Sequence, residues 1–417
     1  MDDGTTACFA PFLIRGRVVE SAQTSVGIGG ALVVARDING ALASRGVASS
    51  ESDGVYELSI PATRRADGSP HPHPLELTLR ADANGYHSFP SGLRIAVPVD
   101  SQAPVQSGDR WVIENPSTDV ALDELSDGAG LGTIRGVVRA ENAAGTLVVA
   151  GAQSGLADRD GAFTIFNVPG GAREVRGYKV GLALSSVEAT VIEDSVTDGV
   201  ELRSIDEPLG TVTGDVNFVN AGSHQTSVVL VVASTFNSAL ARGEVPIGLR
   251  QFPVTGRYSF EGVPSGDYIV LAAFEDDELV RDPDTSIGGT AIQSVSVAGT
   301  TVAVDAFKIT GALEVVGPGA SGAEPVAGNP VFRWADDSSE DGYELTVFDT
   351  FGTTVFHDAD VPSVSGSAEV SYEYSGTPLE PGYYQFRAVS FRMDKGGKDD
   401  RTRISSTEDL KGVFIAP

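Results

Sequence analysis

One phrase occurs three times along this chain of 417 residues. It reads DGVYELSIP at 53–61, DGAFTIFNVPGG at 160–171 and TGRYSFEGVPSGDYIVLAAF at 255–274. In each copy a residue followed by glycine supplies a tight turn, and an aromatic residue two positions later begins a strand of alternating apolar residues. A proline then ends the strand pairing, because proline cannot donate to a sheet. We expect the aromatic residues to occupy equivalent buried positions; they are Tyr56, Phe163 and Tyr258, and the prolines are Pro61, Pro169 and Pro264.

Each copy of the phrase lies between two further shared strands. Upstream, IRGRVV at 14–19, IRGVVR at 134–139 and VTGDVNF at 212–218 each place a glycine inside a β-branched strand. Downstream, STDVALDEL, TDGVELRSI and GTTVAVDAFKI close the copies. The spacing of roughly 80–120 residues is too long for a solenoid and suits a small antiparallel sandwich. With 49 glycines, 22 prolines and little helical periodicity, the sequence predicts an all-β protein, a tandem array of β-sandwich domains.

These elements resemble the carboxypeptidase regulatory-like domain family. The resemblance is carried by GGALVVARD at 29–37, SSESDGVYELSIP at 49–61, LADRDGAFTIFNVPGG at 156–171 and the third copy, which places Tyr268 after Pro-x-Gly. The first copy departs from the family, because ATRRADGSPHPHP follows the phrase where the family has Pro-x-Gly. The resemblance implies transthyretin-like β-sandwiches in an extracytoplasmic accessory protein. We therefore expect a leader that is absent from this sequence.

The last quarter of the chain lacks the phrase. It contains PVFRWADD at 330–337, DGYELTVFDTFGTTVFH at 341–357 and LEPGYYQFRAVSFR at 379–392. This order of a tryptophan strand, a tyrosine strand and Leu-x-Pro-Gly before tyrosines resembles a fibronectin type III-like domain. The resemblance implies that Trp334, Tyr343 and Tyr384 are core aromatics and that Leu379 leads into a tyrosine corner, but it leaves open which tyrosine makes that corner. The predicted domains are residues 1–125, 131–207, 208–312 and 313–417, of which the first three are regulatory-like and the last is fibronectin-like.

The charge of the chain excludes some partners. The formal net charge is −28, so the surface repels nucleic acid and anionic lipid. Carboxylates crowd into two loops, and two interpretations of them stay open: solvated turns, with Arg281 pairing nearby, or calcium binding. Neither loop has EF-hand spacing. The weak calcium candidates are Glu275, Asp276, Asp277, Asp282 and Asp284, and the second acidic loop carries Asp336, Asp337, Glu340 and Asp341.

Motifs for catalysis are weak. His73 and Glu76 match the H-x-x-E spacing of zinc peptidases, but no α/β enzyme domain surrounds them. His71 and His73 alternate with prolines, which is typical of a solvated loop. GIGGALVVARD at 27–37 leads into a strand, whereas a dinucleotide fingerprint leads into a helix. The single cysteine, Cys8, has no histidine nearby and no partner for an intramolecular disulfide. We expect no enzyme and no cofactor other than the calcium left open above.

We therefore predict a non-catalytic extracytoplasmic protein that acts as a surface stalk, scaffold or adhesive module. Its expected partners are proteins or glycans of the cell surface, without nucleic acid and without a transmembrane segment. The short connection DEPLG at 206–210 favours a semi-rigid array over freely jointed domains. The alternative is a glycan-binding accessory protein that uses Trp111, Tyr86 and Phe89 of the first copy, which requires those aromatic side chains to be exposed.

Overall fold

A computed structural model describes residues 12–37, 42–44, 47–61, 77–90, 99, 104–108, 110–273, 277–284, 289–337, 339–393 and 401–416. The chain is nearly all β, with 57% of residues in strands and 2% in helix, which confirms the predicted fold class. The described residues fall into two compact units. The first unit runs to Asp206 and the second starts at Glu207, except that Val180–Ala183 belongs to the second.

The first sandwich contains two sheets with strand orders β4-β1-β7-β6 and β3-β2-β5, and β8 pairs with β1 as well. A short 3-10 turn, Pro116–Thr118, precedes β8. The strands are β1 (Phe12–Glu20), β2 (Leu32–Asp37), β3 (Ala48–Ser49), β4 (Val55–Ile60), β5 (Leu77–Asp82), β6 (Val105–Ser107), β7 (Arg110–Ile113) and β8 (Val120–Leu122).

The second sandwich has sheets of order β11-β10-β13-β14 and β12-β9-β15. Its strands are β9 (Leu131–Arg139), β10 (Leu147–Ala150), β11 (Gln153–Leu156), β12 (Ala162–Pro169), β13 (Gly171–Tyr178), β14 (Val187–Val191) and β15 (Val196–Arg203).

The third sandwich has sheets of order β19-β16-β24-β21, with β23 also on β16, and β18-β17-β20-β22. A 3-10 turn, Ala233–Thr235, follows β17. The strands are β16 (Gly210–Phe218), β17 (Thr226–Val232), β18 (Arg250–Val254), β19 (Arg257–Val263), β20 (Gly266–Ala272), β21 (Leu279–Arg281), β22 (Gln293–Val297), β23 (Thr301–Ala303) and β24 (Phe307–Gly311).

The fourth sandwich pairs a sheet of order β25-β27-β30 with one of order β26-β33-β31-β28-β29, and β32 also lies on β31. Its strands are β25 (Val315–Gly317), β26 (Glu324–Pro325), β27 (Val331–Ala335), β28 (Gly342–Asp349), β29 (Thr354–Pro362), β30 (Glu369–Glu373), β31 (Gly382–Met393), β32 (Arg401–Ser406) and β33 (Val413–Ala416). The four domain boundaries given above stay predictions.

Within a sandwich, both sheets contribute side chains to one apolar core. In the first, Ile14 and Tyr56 of one sheet pack in the same cluster as Val33 and Leu79 of the other. The second and fourth sandwiches have cores of the same kind. Burial of apolar surface between the facing sheets is the main source of stability, at about 25 cal/mol per Å².

The repeated phrase builds the same pairing in the first three sandwiches. Its strand runs antiparallel to the opening strand, and its aromatic side chain lies directly opposite the glycine of that strand: Gly16 faces Tyr56, Gly136 faces Phe163 and Gly214 faces Tyr258. The three aromatic residues are 2%, 4% and 1% exposed, which confirms their predicted burial.

The glycine is needed because the ring and a backbone oxygen both lie against it. A Cβ at Gly16 would lie 2.0 Å from Thr118 O and 2.9 Å from the Tyr56 hydroxyl, and a Cβ at Gly136 would lie 2.1 Å from Val200 O and 2.6 Å from Cζ of Phe163. The closing strand then runs parallel to the opening strand on its other side, as β8, β15 and β23 do. The repeat is therefore a three-strand arrangement around one glycine–aromatic pair.

The fourth sandwich has the expected aromatic core. Trp334 and Tyr343 are fully buried, with ring centroids 5.4 Å apart in an edge arrangement, and Tyr384 is buried too. The Tyr384 hydroxyl donates to the backbone oxygen of Glu380 at 2.9 Å, so Tyr384 makes the tyrosine corner. In the third sandwich the Tyr268 hydroxyl reaches Pro264 O, also at 2.9 Å and also four residues upstream.

Candidate functional site

The calcium candidates in the third sandwich are engaged by protein donors where the structure describes them. Asp277 accepts from the Thr226 hydroxyl at 2.5 Å and from the Leu279 amide at 3.2 Å. These two bonds hold the carboxylate of Asp277 in place. Glu275 and Asp276 lie outside the described residues.

Asp282 is buried and forms an ion pair with Lys308 of the adjacent strand, with 2.7 Å between Nζ and Oδ2. Its other oxygen accepts from the Asp284 amide at 2.9 Å. The cation that pairs with Asp282 is therefore Lys308. Among the described residues, no group of three or more histidine, cysteine, aspartate or glutamate residues is placed to hold a metal ion. Calcium binding stays a prediction.

The second acidic loop is organised around Tyr343. Its hydroxyl donates to Asp336 Oδ1 and accepts from the Asp337 amide, both at 2.8 Å. Asp337 Oδ2 accepts from the Ser390 hydroxyl at 2.8 Å, and Asp341 accepts from the Met393 amide at 2.7 Å. Partial burial, together with the charges of Asp336 and Asp337, raises the pKa of Glu340. These carboxylates anchor a loop to β31.

The aromatic residues of the glycan alternative belong to the first core. Trp111, Tyr86 and Phe89 are partly buried and pack against the apolar cluster of the first sandwich. The Tyr86 hydroxyl donates to Glu20 at 2.9 Å, and burial, reinforced by Glu20, raises the pKa of Tyr86 to about 12. The exposure that this alternative requires is not found, so these residues give it no support. His71, His73, Glu76 and Cys8 lie outside the described residues.

Two polar contacts that the sequence did not reveal join the first sandwich to the second. One is centred on Arg80 in β5, which is 2% exposed. Its guanidinium binds both oxygens of Asp82, at 2.8 and 3.0 Å, and donates to the Ser154 hydroxyl of β11 at 3.0 Å. Because Asp82 of the same strand holds the guanidinium in place, its hydrogen bond to Ser154 favours one orientation of the two sandwiches.

The other contact is made by Asn167, at a register shift in β12 where its φ is 59°. Its side-chain oxygen accepts from the Gly85 amide at 2.8 Å, and its amide nitrogen donates to the oxygens of Ala83 at 3.0 Å and Tyr86 at 2.8 Å. Asparagine tolerates this left-handed conformation better than most residues. The repeated phrase contains a sign of this conformation. In its third copy the residue before Val-Pro is Gly262, which also has a positive φ, 68°.

The third and fourth sandwiches are joined by a mixed set of contacts. The Glu278 amide donates to Glu408 Oε1 at 2.6 Å. Arg387 of β31 forms an ion pair with Asp409 at 3.2 Å and donates to the backbone oxygens of Ala239 and Leu240, both at 3.3 Å. The loop 233–249 of the third sandwich therefore reaches the fourth.

Two further arginines lie close to the Arg387–Asp409 pair. Burial lowers the pKa of Arg242 to about 10, with Arg387 lowering it further and Asp409 opposing the shift. Burial also lowers the pKa of Arg281, and the same two neighbours act on it. Three arginines therefore lie around Asp409 in this joint: Arg242, Arg281 and Arg387.

Comparison with known proteins gives no family. No protein-family model matches the chain, and no curated protein matches it. The two B repeat units of the collagen binding protein of Staphylococcus aureus are 10% identical, with 98% of this chain and 99% of that chain covered and a TM-score of 0.18. The Bacillus anthracis TIE protein is 11% identical over 99% of this chain and 75% of that one, with a TM-score of 0.18.

The major pilin subunit BcpA of Bacillus cereus is 10% identical, with 72% of this chain and 99% of that chain covered and a TM-score of 0.20. At such TM-scores these likenesses carry no argument about function. No helix among the described residues is long and apolar enough to span a membrane.

Proposed function

We propose that this chain is a non-catalytic structural protein of the cell exterior, a scaffold or stalk segment that holds binding surfaces at set positions. The observation that supports this best is the joint of the first unit. Its buried polar side chains, Arg80 and Asn167, are directed at the neighbouring sandwich. Relative motion is the default for neighbouring domains, and buried directional hydrogen bonds oppose it.

The location outside the cytoplasm rests on the resemblance to regulatory-like domains, and the expected partners are proteins or glycans of a cell surface. The acidic surface fits this role, because a net charge of −28 keeps the chain from associating with nucleic acid or anionic lipid. With a fibronectin-like character, the fourth sandwich would be of a kind used in surface proteins.

Spin-label distances test the proposed rigidity in the full chain. Ser52 and Ser186 are exposed and lie in the first and second sandwiches. With Ser52→Cys and Ser186→Cys in a Cys8→Ser background, we expect one narrow distance distribution, as narrow as that of a control pair inside the second sandwich, Arg159→Cys with Ser186→Cys. A broad distribution for the first pair beside a narrow control would contradict a scaffold role.

The non-catalytic part of the proposal has its own test. We expect the full chain to show no zinc-dependent peptidase turnover on a panel of peptides. Turnover that zinc restores after chelation, and that His73→Ala removes, would overturn it.

A further inference from the structure

The loop 233–249 contains a small closed hairpin, residues 237–242, which we call the peg loop. The amide of Asn237 donates to Arg242 O at 2.7 Å, and the Arg242 amide donates back at 3.2 Å. Inside this ring, Asn237 Oδ1 accepts from the amides of Ala239 at 3.0 Å and Leu240 at 3.3 Å. The peg loop is therefore shaped by its own hydrogen bonds before it meets anything else.

The base of the loop packs on the third sandwich. Phe236 and Val245 lie against Val231 and Leu271 of the sheet that contains β17 and β20. This cover explains why every residue of β17 is buried, whereas a strand with one wet face would alternate.

The tip of the peg loop packs on the fourth sandwich. Leu240 is 1% exposed and shares a small apolar cluster with Val413, Phe348 and Tyr383. These three residues come from β33, β28 and β31, so the cluster draws one side chain from the third sandwich and the rest from the fourth. We call Phe348, Tyr383 and Val413 the socket.

Polar contacts fix the peg loop in the socket. Arg387 caps the backbone oxygens of Ala239 and Leu240 while its guanidinium lies 5.7 Å from the Phe348 ring centroid. The Asn237 amide group donates to Phe351 O at 3.3 Å. The approach is close, because a Cβ at Gly352 would lie 3.2 Å from Cβ of Ala239.

We infer that the peg loop couples the third and fourth sandwiches. The packing of the socket strands in the fourth sandwich then depends on Leu240 of the third. Withdrawal of Leu240 exposes its own side chain and the socket residues to water, and removes the carbonyl acceptors of Arg387. Loops of this length usually open at little cost. Here opening disturbs two sandwiches at once.

Hydrogen exchange on the full chain tests the coupling. We compare Leu240→Ala, which removes the side chain from the socket, with Val245→Ala, which changes the same loop where it packs on its own sandwich. Losing a buried leucine side chain should raise exchange in the socket strands, residues 342–349, 382–393 and 413–416, at least about 10-fold. Val245→Ala should leave these segments within about 2-fold of the unsubstituted chain, since Val245 packs on the sheet of its own sandwich and is not part of the socket cluster.

Equal exchange in the socket strands of Leu240→Ala and the unsubstituted chain would overturn the inference, as would an equal rise in Val245→Ala. Should Leu240→Ala fail to fold, Arg387→Lys gives the second measurement. Lysine keeps the charge but lacks the planar fork that reaches two oxygens at once. We then expect faster exchange in residues 237–242 and in the socket strands together; a rise confined to one of the two would contradict the coupling.

Discussion

The two units join their sandwiches through different kinds of contact. In the first unit the sandwiches meet through the hydrogen bond from Arg80, which is ion-paired with Asp82 of its own strand, to Ser154, and through the three hydrogen bonds of Asn167. In the second unit Leu240 enters an apolar socket, and Arg387 is a more exposed clamp at its edge. Polar contacts fix orientation strongly but add little net free energy, whereas an apolar contact adds free energy with weak direction.

This difference predicts that equal substitutions have unequal effects in the two joints. The joint that relies on a buried charge should be the more damaged when one partner is removed, because the other charge is then left buried and unpaired. The chain offers a reporter in each unit: Trp111 in the first and Trp334 in the second are its two tryptophans.

The largest effect is expected for Arg80→Met. Methionine keeps much of the volume but leaves the carboxylate of Asp82 without its cation in a buried site. We expect a loss of about 3–5 kcal/mol in the free energy of unfolding of the first unit. Urea unfolding followed by Trp111 fluorescence in a Trp334→Phe background measures it.

The control for Arg80→Met is Arg139→Met in the same unit. Arg139 pairs with Glu201 at 2.8 Å, but its side chain is 59% exposed. We expect Arg139→Met to change the free energy of unfolding of the first unit by at most about 1 kcal/mol. Similar losses for the two variants would mean that the Arg80 pair has no special role.

The matched change in the second joint, Arg387→Met, should cost less. Asp409 is partly exposed, so water can replace the lost guanidinium, and Leu240 keeps its apolar contacts. We expect a loss of about 1.5–3 kcal/mol in the free energy of unfolding of the second unit. Urea unfolding followed by Trp334 fluorescence in a Trp111→Phe background measures it. If Arg387→Met lost more free energy of unfolding than Arg80→Met, the buried ion pair would not be the more sensitive of the two joints.

Asn167→Gly is expected to have a smaller effect on stability. Glycine removes three hydrogen bonds to the first sandwich but adopts the positive φ of this position without strain. The expected loss is about 1–2 kcal/mol. Asn167→Ala should lose about 1 kcal/mol more, since alanine adds the cost of the left-handed conformation; equal stability of the two variants in urea would contradict this account of the bulge.

The smallest effect is expected from calcium. Asp277 and Asp282 already accept hydrogen bonds and an ion pair from the protein. We expect the melting temperature to be the same in millimolar calcium and in chelator. A site filled at 100 times its Kd would add about 2.7 kcal/mol to the free energy of unfolding, and the rise in melting temperature would contradict this expectation.

The sandwiches were predictable from the sequence and the joints were not. Strand alternation and the turn glycine have short periods, so the phrase predicted the burial of Tyr56, Phe163 and Tyr258. Trp334 and Tyr343 were likewise expected in the fourth core. Contacts between sandwiches come from loops without any period, and their partners are distant in sequence.

Two signals of the joints were nevertheless present in the sequence. Asn167 stands where the third copy has Gly262, and a position shared by asparagine and glycine indicates positive φ. The apolar run at 228–232 of β17 indicates burial on both faces and hence a covering segment. Neither signal names the partner, because the orientation of two sandwiches is set by tertiary packing. Ion pairs within a sandwich, such as Lys308 with Asp282, could not be predicted either, because the pairing of strands distant in sequence brings the partners together.

The most direct test of the central claim, that each unit is a locked pair of sandwiches, is amide hydrogen exchange at Gly85 and Glu278 in the full chain. The Gly85 amide donates to Asn167 of the next sandwich, and the Glu278 amide donates to Glu408 of the next. We predict that both amides exchange at least about 100-fold more slowly than an unprotected amide, and that Asn167→Gly removes protection at Gly85 alone. Exchange of both amides at the unprotected rate would show that the sandwiches are not locked, and would contradict the account.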